Sequence, residues 1–115
     1  MSVFVQLGPT PDTCWQARNA LGWGLLEKAA QVAPNEAARE AIVIGSAMHM
    51  LDIYEIESPL REQVWHAVEE AAREASNEVP GPSPLWPQEW IDRVADLARE
   101  MEARRLDPNR PGVWP

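Results

Sequence analysis

Cysteine, lysine and long apolar runs are what this chain has least of. Its one cysteine, Cys14, excludes an intramolecular disulfide and a Cys-rich metal site. A single lysine, Lys28, joins the arginines against 18 acidic residues, and the net charge is −8. Nucleic acid and anionic membranes both need clustered Lys and Arg, so neither is expected as a direct partner. The longest apolar stretch falls short of the ~18 residues a membrane span requires. The opening residues lack the basic and apolar regions of a secretory signal. A soluble protein in the reducing cytoplasm is the expectation. Phosphate-binding glycine loops, dinucleotide fingerprints, zinc-finger spacings and a nucleophile elbow are also missing, and no enzyme class is indicated.

What is present suits one small globular domain. The 115 residues are 45% hydrophobic and 24% charged, ordinary values for a chain able to bury a core. The stretch Ala41–Ile56, AIVIGSAMHMLDIYEI, appears as its organising element. At a helical period its apolar side chains cover nearly the whole circumference and leave a strip of Gly45, His49 and Asp52, with Glu55 beside it. A helix apolar all round is expected to be buried all round. The remaining periodicities fit helices around it: one from Thr10-Pro11-Asp12 to about Ala33, one from Ser58-Pro59 through Ala75, and one from Pro87 to about Arg105. Val3-Phe4-Val5 is β-prone but has no evident partner strand. The expected fold is therefore all-α, a four-helix bundle-like single domain over residues 1–115. Residues 1–9 form an extended arm, 77–88 a Pro-rich connection and 106–115 an irregular tail.

Two groups of residues could carry function. His49, Asp52 and Glu55, read as adjacent turns of one helix, and Glu62 with His66 on the next, offer imidazole and carboxylate ligands suited to zinc, iron or manganese. The Glu-x-x-His spacing of di-metal carboxylate bundles is missing, however. His49 beside Asp52 has a plainer reading as a hydrogen-bonded core histidine. No cofactor is expected.

Six tryptophans form the second group, more than a core of this size needs. Trp15, Trp65 and Trp90 fit the rims of apolar stripes. Trp23 falls on a polar helix face among Gln16, Asn19 and Glu27; Trp86 lies in the Pro-rich connection and Trp114 in the tail. Tryptophan is enriched at binding hot spots because it buries a large area and keeps an N–H to offer. Thirteen of the acidic residues fall between Glu55 and Asp107, an excess that suits either a negative docking face or helix faces laced with i, i+4 pairs such as Glu69–Arg73. The leading expectation is a protein that binds another protein, or itself, through exposed Trp and acidic surface, in the manner of an inhibitor, immunity protein, antitoxin or adaptor. A metal-binding bundle or metal-dependent enzyme built on His49, Asp52, Glu55, Glu62 and His66 is the alternative. A small-molecule sensor is a third.

Overall fold

The computed structural model describes residues 2–8, 13–77 and 88–106. In chain order these give strands β1 (Ser2–Gln6) and β2 (Cys14–Arg18), and helices α1 (Asn19–Val32) and α2 (Glu36–Ala47). Strand β3 (Met50–Asp52), a 3-10 turn (Ile53–Glu55), and helices α3 (Leu60–Ser76) and α4 (Gln88–Leu106) complete the order. The all-α expectation is overturned: four helices pack with a three-stranded mixed sheet, an α+β arrangement.

The supposed N-terminal arm is the central strand of that sheet, whose order is β2-β1-β3. β1 pairs antiparallel with β2, Val5 opposite Trp15, and parallel with β3, Val5 opposite Leu51. Alternation then sorts the side chains by face. Val3, Val5, Trp15, Ala17 and Leu51 point into the core. Phe4, Gln6, Cys14, Gln16, Met50 and Asp52 alternate with them on the other face and are exposed or half-buried. β2 was concealed within an expected first helix because only Trp15 and Ala17 carry its inward pattern. Gln, Ala and Arg are weak strand formers on their own. Pairing with β1 decides the conformation, and α1 begins only at Asn19. The expected helix start at Thr10-Pro11-Asp12 lies outside the described residues.

The element expected to be the buried centre is divided. α2 opens with Asn35 as N-cap, its side chain accepting from the Ala38 N–H at 2.9 Å. It stops at Ala47. Met48 N–H still reaches the Ile44 carbonyl at 3.0 Å, His49 N–H turns back to the Ser46 carbonyl at 3.2 Å, and His49 takes φ 62°. A left-handed residue just past the last turn is a standard helix stop, usually supplied by Gly. Among other residues His is one that tolerates it. The His49 carbonyl then accepts from Phe4 N–H at 3.0 Å, and the chain continues as β3. Gly45 makes the join close: a Cβ there would lie 3.0 Å from that of Leu51.

The buried centre is α3 instead. Its Val64, Trp65, Ala67, Val68, Ala71, Ala72 and Ala75 are enclosed, with α1 packed along one side and α4 along another. Small alanines let the helices approach, and Leu25, Leu26 and Ala29 of α1 and Val94, Leu97 and Met101 of α4 complete the core. Trp65 is fully buried rather than at a rim. Glu69, expected on the outer face, is only 2% exposed. Its carboxylate pairs with Arg73 and accepts from the Trp65 indole N–H at 3.2 Å. Arg73 extends the pair to Glu102 of α4, 3.9 Å away. A carboxylate so enclosed needs both the charge and the hydrogen bond. α4 is fastened to the sheet as well: the Trp15 indole N–H donates to the Arg93 carbonyl at 3.1 Å, and the Arg93 guanidinium sits 5.6 Å over the Trp15 ring.

Candidate interaction surface

Trp23 lies where the sequence places it, on the outward face of α1. It is 43% exposed. The close fit of its neighbour Gly22 against β1, where a Cβ would meet that of Val3 at 2.4 Å, fixes which way α1 faces. The Trp23 indole N–H donates to the Ser46 carbonyl at 3.2 Å, and its ring meets the His49 ring edge-on at 5.3 Å. Trp23 thus bridges α1 to the end of α2, with half of its ring left to solvent.

Around it lies an apolar surface. α2 turns Ala38, Ile42 and Gly45 inward, so the i+1 and i+2 neighbours of those residues must face out. Val43 is exposed, Ile44 is 58% exposed and Met48 is 71% exposed. Met50 of β3 continues the strip. A groove of about 430 Å³ runs between α1 and α2, lined by Trp23, Leu26, Ala30, Val43, Ser46 and Ala47, with Glu27 the one charged residue on its wall among the described residues. Past His49, Met50 borders a second hollow of about 420 Å³ on the outer face of the sheet, shared with Phe4, Tyr54, Asp52 and Glu55.

Cys14 lies in that hollow, across from Gln6, which in turn pairs with Asp52. Burial pushes the Cys14 thiol above its ordinary range and the Asp52 carboxylate pushes the same way, opposed by a backbone hydrogen bond at Val5. At neutral pH this cysteine is held as the thiol. Among the described residues it has no activating base or cation of the kind a nucleophilic cysteine needs.

The residues considered as metal ligands occupy separate stations. His49 is in the turn after α2, where its Nδ1 is buried with no hydrogen-bond partner among the described residues. Asp52 Oδ1 accepts from Glu55 N–H at 3.3 Å and so caps the 3-10 turn. Glu62 Oε1 accepts from Ser58 Oγ at 2.5 Å, and exposed His66 lies 3.9 Å from Glu70. The shared helix on which His49, Asp52 and Glu55 were read does not exist, since Asp52 and Glu55 belong to β3 and the turn that follows. Among the described residues, no three His, Cys, Asp or Glu side chains converge as ligands of one ion. Trp86 and Trp114 lie outside the described residues.

Sequence reasoning missed Val43, Ile44, Met48 and Met50 as surface residues, because an all-round apolar segment does not show which flank its neighbours leave uncovered. Among the described residues no helix is long and apolar enough to cross a membrane, so a bilayer span does not account for that flank. Comparison of the chain with protein-family models, with curated proteins and with solved structures finds no match.

Proposed function

We propose that this protein works by binding another protein through the surface formed by Trp23, Val43, Ile44, Met48 and Met50. One observation carries the reading: α2 turns Val43 and Ile44 toward solvent, with Met48 exposed just beyond its end, while it buries only Ala38, Ile42 and Gly45. A contiguous apolar patch with a polar rim is what interaction sites present, and its burial is worth roughly 25 cal/mol per Å². Trp23 has the character of an anchor, a large ring half out of the surface and held in orientation by the Ser46 carbonyl and the His49 ring. Met48 and Met50 add flexible thioethers that adapt to a partner's shape. An inhibitor, immunity or adaptor role fits such a surface. The free thiol of Cys14 supports placing it in the cytoplasm.

The test is Ile44→Asp. Purified without denaturation from its own cells, the wild-type protein should travel as a complex in native mass spectrometry. The variant, whose substitution sits on an exposed helix face, should travel alone with its thermal midpoint unchanged. Equal association of both proteins would remove the patch as the binding surface.

A further inference from the structure

Resting on that reading, the geometry points to the occupant: we infer that the groove between α1 and α2 receives an amphipathic helix of another protein, with an apolar face flanked by Lys or Arg. The outward positions Glu40, Val43 and Ala47 form a ridge at helical i, i+3, i+7 spacing along α2, and the hollow beside it is bounded by Trp23, Leu26 and Ala30 of α1. A channel between two helices accepts a third by the same interdigitation that packs helices in a core. A partner helix would seat its i, i+3, i+4 and i+7 side chains there.

The charges around the channel select the partner's sign. Glu27 stands on the groove wall, Glu40 is exposed on the α2 ridge, and Asp52 with Glu55 lies beyond Met50. The remaining charges of α2, Glu36 and Arg39, neutralise one another in a salt bridge. Among the described residues, Glu27 lines the groove and Asp52 and Glu55 line the second hollow, with no Lys or Arg in either. A second copy of this chain would bring the same acids and another charge of −8 to the contact, so charge disfavours self-association and favours a basic partner.

Two synthetic helices of about five turns serve as probes, one with Leu on one face and Lys on the other, one with Glu replacing Lys. Each carries a fluorophore, and anisotropy follows its titration with the full chain. The Leu/Lys helix should bind on the order of tenfold tighter or more than the Leu/Glu helix, and added salt should weaken it. Val43→Asp should abolish the binding, while Glu27→Gln with Glu40→Gln should weaken it by several fold. Val43→Asp is the decisive control, because it adds a negative charge on the groove wall. Non-specific attraction to a polycation would hold or strengthen, whereas seating in the groove would be lost. Undiminished binding of the Leu/Lys helix to Val43→Asp overturns the inference, as does equal binding of the Leu/Glu helix. A wild-type homodimer in sedimentation that Ile44→Asp dissociates also overturns it, because the occupant would then be a second copy. These results leave the patch itself to be judged by whether Ile44→Asp releases the native complex. Circular dichroism and thermal midpoints confirm that each variant is folded.

Discussion

Seven of the twelve residues of α2 are apolar, yet only Ala38, Ile42 and Gly45 of that helix are buried. α3 has eight apolar residues among seventeen, buries seven of them, and encloses the charged Glu69 as well. Burial here follows position in the chain's packing rather than the hydrophobicity of a segment. α3 is sandwiched between α1 and α4 and needs a narrow stripe of small residues to fit. α2 rests on β3 and α1 through one face, with nothing among the described residues over the other. An apolar side chain in α3 therefore contributes to folding, whereas one on the outer face of α2 stays in solvent, where the proposed association would bury it. Fully burying a Val, Ile or Met is worth roughly 1.5–3 kcal/mol in either setting.

The comparison can be broken most sharply at Trp65. Replacing it with Ala should cost about 3–5 kcal/mol in urea unfolding, from the lost ring and from a Glu69 carboxylate deprived of its hydrogen bond. A loss below 1 kcal/mol, in order-of-magnitude terms, would show that α3 is not the centre of the core. Gly22→Ala comes next. On propensity alone it should stabilise a helix by about 1 kcal/mol. With a Cβ at 2.4 Å from Val3 it should instead destabilise by roughly 1–3 kcal/mol, because α1 must move off β1.

At His49 the difference between two variants is the informative quantity. Both Ala and Gly lose the ring contact with Trp23, but only Gly accepts φ 62° without strain. His49→Gly should therefore be more stable than His49→Ala by about 1 kcal/mol. Equal stability would mean that the left-handed turn does not hold the end of α2. Ile44→Asp should change stability by no more than about 0.5 kcal/mol, the range for exposed sites away from special features. A large loss would make the outer face of α2 part of the core.

The smallest effect concerns the far face of the sheet. The Cys14 thiol titrates above its unfolded value because of burial and Asp52. Its contribution to stability is complete below the unfolded thiol range and fades as pH rises through that range and past the folded value. Asp52→Asn removes one of the two upward influences. Iodoacetamide should therefore modify Cys14 faster in the variant at mildly alkaline pH; an unchanged rate would mean the carboxylate does not reach the sulfur.

The legible parts of the chain were those where one periodicity held over many residues. α3 and α4 follow from their stripes, and Trp23 is placed outside by its polar neighbours. The sheet was illegible because its strands are short and unlike one another. β2 shows two inward residues, and β3 is three residues long, inside a segment whose composition suits a helix equally well. The helix stop at His49 lacked the glycine that normally announces it. Glu69 was misplaced for a related reason: an i, i+4 Glu–Arg spacing looks the same whether the acid is exposed or enclosed. Of the candidate site, Trp23 was visible at once, but the apolar face of α2 required knowing what that helix packs against.

The central strand carries a consequence for the order in which the molecule assembles. Its two edges are closed by segments at very different distances along the chain: Gln6 meets Cys14 across a short connection, whereas Phe4 meets Met50 only after α1 and α2 have intervened. Closing the short loop costs less conformational entropy, so the antiparallel hairpin is the cheaper half of the sheet to form. Until β3 arrives, the other edge of β1 presents bare amides and carbonyls beside Val3 and Val5, a template for any extended chain nearby. The turn at His49 delivers β3 to that edge. A weakness in this turn would surface as aggregation during refolding before it surfaced as a lower melting temperature.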